Sequence, residues 1–81
     1  MLSGQIRLQE NGRWLVDERV ELHSGDVVQL RCDLGKRAKV WFHGRIEHAA
    51  GEYHFLWIDL KGKEGKIIAL RDGMFIRKEE N

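Results

Sequence analysis

Proline is absent from this 81-residue sequence, so every reversal of direction must be made without it, and nine glycines are left as the punctuation. A single cysteine, Cys32, excludes an intrachain disulfide and fits a reducing compartment. No apolar run approaches the ~20 residues that a membrane helix needs. The opening stretch MLSGQIRLQENG lacks the apolar segment of a secretory signal. The expectation is therefore a cytoplasmic protein with no membrane segment. Also missing is any sustained helical period: over windows of about 12 residues, apolar positions do not recur at 3.6, whereas short runs alternate with period 2.

Charge of one sign is lacking as well. The formal net charge is +1, which is not the footprint of a strong nucleic-acid binder. The distribution is uneven, however. Residues 1–33 carry four basic and six acidic side chains, whereas residues 34–78 carry ten basic and five acidic. Folding can gather these into a basic side despite the near-neutral total.

What is present reads as all-β: a single domain over residues 1–81, built as a small antiparallel barrel of five to six strands. GQIRLQE (4–10) alternates and is followed by Asn11–Gly12, a strong hairpin signal because a type I′ turn needs positive φ at both central residues. A two-residue turn there pairs Gln9 with Trp14 and Leu8 with Leu15, which turns Leu15 inward and Trp14 outward. Ser24–Gly25–Asp26 is a turn, with Asp26 able to bond the nearby backbone. Val28, Leu30 and Cys32 form an inward row after it, and Cys32 is expected as a small core residue. DLGKRAK (33–39) and KGKEGK (61–66) read as basic loops, IIAL (67–70) as a short buried strand, and MFIRK as the closing strand after Asp72–Gly73. The expected inward set is Ile6, Leu8, Leu15, Val28, Leu30, Val40, Phe42, Ile46, Phe55, Trp57 and Ile76.

The hairpin VWFHGRIEHAAGEYHFLWI (40–58) has two partly apolar faces, which a sheet with one wet face should not have. A turn at Ala50–Gly51 sets Ile46 opposite Phe55, Gly44 opposite Trp57, and His48 opposite Tyr53. That face belongs to the core, with the Trp57 ring expected over Gly44. The other face carries Trp41, His43, Arg45, Leu56, Ile58 and Leu60. Three coverings compete for it: other segments of the chain, a second copy in a homodimer, or a foreign partner.

Motifs that carry chemistry are few. His23, His43, His48 and His54 form neither HExxH nor a CxxC-type pattern, so no metal site is expected. Gly62 and Gly65 lack the phosphate-loop spacing and context. No catalytic residues and no cofactor are expected, and a chain this short rarely encloses a catalytic pocket. The remaining candidates are binding residues. Trp41, His43, Arg45 and Ile58 could form a protein-binding face. Lys36, Arg37, Lys39, Lys61, Lys63 and Lys66 could meet phosphates, with Trp41 and Arg45 supplying stacking and cation–π contacts.

The order of segments has a further implication. The turn at Asn11–Gly12, ELHSGDVVQL, the W-x-x-G-R-I-E segment at Trp41 to Glu47, YHFLWI and DGMFIR together resemble a family of short bacterial proteins of unknown function, common in Firmicutes and their mobile elements. The resemblance spans roughly residues 4–78. It implies an SH3-like small barrel in the cytoplasm and brings no catalytic residues. The resemblance leaves function open; from the Trp41, His43, Arg45 and Ile58 face, the expected function is a non-catalytic binding module, a protein–protein adaptor or accessory factor whose partner is another protein or a second copy. The alternative is a nucleic-acid-binding barrel that uses the 36–39 and 61–66 loops.

Overall fold

A computed structural model describes residues 1–34 and 38–79. The described chain is all-β, with eight strands: β1 (Leu2–Leu8), β2 (Trp14–Val16), β3 (Val20–Glu21), β4 (Val27–Leu34), β5 (Ala38–Ala49), β6 (Glu52–Ile58), β7 (Glu64–Ala69) and β8 (Phe75–Lys78). They form one sheet in the order β3-β2-β1-β8-β4-β5-β6-β7, and each neighbouring pair is antiparallel. Strand β8 thus lies between β1 and β4 and joins two halves that share no other ladder among the described residues.

The strand count exceeds the expected five to six, and the barrel is not closed. The sheet coils far enough for one cluster to draw on both halves: Leu2, Ile6, Trp14, Val16, Leu22, Val28, Leu30, Ile46, Phe55, Leu70 and Ile76. Its ends do not pair with each other, because β3 has only two residues and offers almost no edge to β7.

The first hairpin departs from expectation by one residue. Its register pairs Leu8 with Trp14, Arg7 with Leu15 and Ile6 with Val16. Asn11 stays out of the left-handed region, and in this turn only Gly12 has a positive φ, +83°. The Asn11 side chain instead accepts a hydrogen bond from the Arg13 N–H at 3.0 Å, and Gln9 N–H bonds to Arg13 C=O at 2.8 Å. The result is a three-residue connection ending in a glycine bulge. A one-residue slip turns every side chain over. Trp14 is therefore buried and Leu15 faces outward, half exposed.

The second hairpin follows its expected register: Ile46 opposite Phe55, Gly44 opposite Trp57 and His48 opposite Tyr53. Ala50 and Gly51 both have positive φ, 53° and 80°, as a type I′ turn requires. Gly44 is crowded by a different ring than expected. A Cβ there would lie 2.6 Å from Cζ of Phe55 and would overlap the Leu56 carbonyl oxygen. Trp57 instead stacks on Phe42, with centroids 5.3 Å apart, and leans over Gly65, where a Cβ would come within 2.8 Å of its ring.

Other expectations shift. Leu8 and Val40 are exposed at strand ends, at 48% and 36%. Phe42, Trp57 and Cys32 are partly buried and pack against the core cluster. Basic loop 33–39 is shorter than expected, since β4 and β5 pair as far as Leu34 and Ala38. Loop 61–66 gives way to strand at Glu64; the first three residues of the IIAL segment lie in edge strand β7, with Ile67 65% exposed, and only Leu70, just past the strand, is buried. Ser24–Gly25–Asp26 turns as expected, with Asp26 Oδ2 accepting the His23 N–H at 2.8 Å. The same carboxylate meets Lys78 Nζ at 3.0 Å, tying the turn to β8.

Candidate interaction face

Alternation along β5 sends Phe42, Gly44 and Ile46 toward the core and Trp41, His43 and Arg45 to the outer face. The ladders then fix their neighbours. Arg31 and Gln29 on β4 pair with Trp41 and His43, and Gln29 pairs on its other side with Arg77 on β8. The Arg77 guanidinium lies over the Trp41 ring, 4.0 Å from its centroid, while its Nε donates to Oε1 of Gln29. Arg31 lies at the same 4.0 Å over Phe75. Two aromatic rings on the outer side are thus covered by arginines of the same chain, each attracted by the ring quadrupole. The puzzle of the two-faced hairpin has this as part of its answer.

Arg45 takes a different role. It pairs with Glu47 on its own strand and with Glu64 of β7, the latter at 3.2 Å. The hydrogen bond to Glu47 raises its pKa above an already high ordinary value, with both carboxylates adding to the effect against some desolvation. Arg45 therefore clamps the outer side of β5 to β7.

Beside this face runs a groove of about 540 Å³, lined by Trp41, Phe42 and His43 of β5 and by Trp57, Ile58, Asp59, Leu60 and Lys61. Its rim is a rigid turn. The Asp59 Oδ1 accepts the N–H groups of Lys61 and Lys63, both at 2.9 Å, and the Asp59 N–H donates to the Lys63 C=O at 3.0 Å. Gly62 completes the turn at φ +81°. This leaves Leu60 fully exposed at the edge of an apolar channel.

Of the residues singled out from sequence, Trp41, His43, Ile58 and Lys61 come together around the groove. Arg45 is engaged in its ion pairs. Lys39, Lys63 and Lys66 are exposed and line none of the groove. Lys36 and Arg37 lie outside the described residues. Arg77, Gln29, Arg31 and Phe75 were not anticipated on this face, because their contribution depends on β8 entering the sheet beside β4. Phe42 and Trp57 were read as core and also wall the groove.

A larger concavity, about 800 Å³, lies elsewhere, along β1 and the Asp17–Glu18 turn. Two of its three carboxylates are committed: Asp72 accepts the Leu8 N–H at 2.8 Å and Glu18 pairs with Arg7 at 2.6 Å. Among the described residues no group of three or more His, Cys, Asp or Glu is arranged to hold a metal ion, and no polar or charged residue is buried. Among the described residues no helix is long and apolar enough to cross a membrane.

Comparison with known proteins adds one finding. The family model DUF5348, a domain of unknown function, matches residues 4–74. No curated protein and no solved structure matches the chain.

Proposed function

The chain belongs to the DUF5348 family, whose function is unknown, and from its geometry we propose that it is a non-catalytic module that binds another protein. The observation that carries this reading is the groove at Trp41, Ile58 and Leu60. Three aromatic side chains, Trp41, Phe42 and Trp57, and a leucine held fully exposed by the Asp59 turn offer a seat for an apolar anchor side chain. Anchors that fill such pockets supply most of the binding energy of protein interfaces. The resemblance carried by the order of segments over residues 4–78 fits a bacterial cytoplasm or mobile element and leaves the role itself open.

The test is a photo-crosslinking amino acid at position 60, compared with one at Glu10, an exposed residue in the β1–β2 turn. The expected result is a discrete crosslinked protein from position 60 and none from position 10. Crosslinks joining two copies of the chain would replace this reading with a homodimer. Equal labelling from both positions would remove it.

A further inference from the structure

The charge beside the groove narrows the chemistry of the partner. Arg7, Arg13, Arg45 and Lys78 each have a carboxylate partner. Arg77 differs: its partners are the neutral amide of Gln29 and the ring of Trp41. Among the described residues it has no carboxylate within salt-bridge distance. Its guanidinium is oriented by two contacts rather than left to wander, so little side-chain entropy remains to be lost when an anion is met. The ring beneath it is also a wall of the groove. A cation is therefore fixed against one wall of the apolar seat, and a second, Lys61, is among the residues that line it.

We infer that the partner segment seated in the groove carries a carboxylate next to its apolar anchor, and that Arg77 receives it. This rests on the groove being the binding surface. A phosphodiester chain fits less well. Nucleic acid is held by a track of cations along its backbone, and the outer face is interrupted by Glu47 and Glu64 around Arg45. Those carboxylates would repel a polyanion lying across β5. A single carboxylate at Arg77 avoids them, and bidentate guanidinium–carboxylate geometry rewards it.

The test selects a random twelve-residue peptide library displayed on phage against the whole chain, and measures the winners by fluorescence anisotropy. The expected result has three parts. Peptides emerge whose binding is lost in Trp41→Ala. They are enriched in Asp or Glu within two positions of a large apolar residue. Arg77→Gln weakens them about tenfold, whereas Arg7→Gln, on an arginine already paired with Glu18, leaves them unchanged. Arg77→Lys, which keeps the charge but not the fork, recovers part of the loss, and circular dichroism of each variant checks its fold. Trp41-dependent peptides without acidic enrichment, indifferent to Arg77→Gln, would overturn the carboxylate inference and leave the groove standing. Peptides indifferent to Trp41→Ala, or no peptides at all, would overturn both. Tighter binding of a fifteen-residue oligothymidylate, falling steeply with salt, would assign the face to nucleic acid instead.

Discussion

Arg77 and Trp41 are 36 positions apart in sequence and lie on strands separated by β4, yet the guanidinium rests 4.0 Å from the ring centroid, with Gln29 of the intervening strand holding its Nε. The contact bridges three strands on the outer face. Exposed cation–π pairs contribute about 0.5–1 kcal/mol. A double-mutant cycle with Arg77→Gln and Trp41→Leu, followed by urea unfolding, should give a coupling energy in that range. A coupling of zero would show that the pair adds nothing to the fold.

Trp14 and Leu15 test the register of the first hairpin. Trp14 is buried against the core and Leu15 is on the outer side. Trp14→Ala should cost about 3–5 kcal/mol, and Leu15→Ala about 0.5 kcal/mol. Chemical denaturation of the two variants decides it, since a two-residue turn would reverse the order.

Gly44 is the tightest backbone approach in the β5–β6 hairpin. A methyl group there meets the Leu56 carbonyl and the Phe55 ring, neither of which is a flexible side-chain end. Gly44→Ala should destabilise by about 3 kcal/mol, at the upper end for overpacking. In a domain whose total stability is of order 5 kcal/mol, that shows as a large fall in Tm. An unchanged Tm would mean that the strand can move away from β6.

Ala50 holds a left-handed φ of 53°, which costs a residue with a Cβ about 1–2 kcal/mol relative to its ordinary conformation. Asn is better suited to that position of a type I′ turn. Ala50→Asn should raise stability by about 1 kcal/mol, or Tm by about 4–8 °C for a domain of this size. Differential scanning calorimetry reads the change. No gain would mean that the turn is already relaxed.

The two hairpins show where local sequence informs and where it does not. At Ala50–Gly51 the turn type and the alternation on both sides agree, so the register could be read through to Trp57. At Asn11–Gly12 the same dipeptide logic misleads, because the Asn11 side chain bonds the Arg13 N–H and a longer connection forms. One hydrogen bond thereby moves Trp14 into the core. On the candidate face, Trp41, His43 and Ile58 could be grouped from strand period alone. Arg77 could not, since nothing local to Phe75–Lys78 says that this strand enters between β1 and β4. Long-range strand order carries no short-range pattern, and for the same reason the open ends of the sheet were read as a closed barrel.

The position of β8 has a consequence for how the protein is made. Residues 2–21 and 27–69 can each form their ladders as soon as they leave the ribosome, giving two separate sheets with the edges of β1 and β4 bare. Only when Phe75–Lys78 has emerged can those edges be joined and the shared core enclosed. Until β8 docks, a chain whose other strands have already paired presents two unpaired strand edges to its surroundings. The speed with which β8 docks, and whatever shields those edges before it does, should therefore bear on the yield of folded protein as much as any contact in the finished sheet.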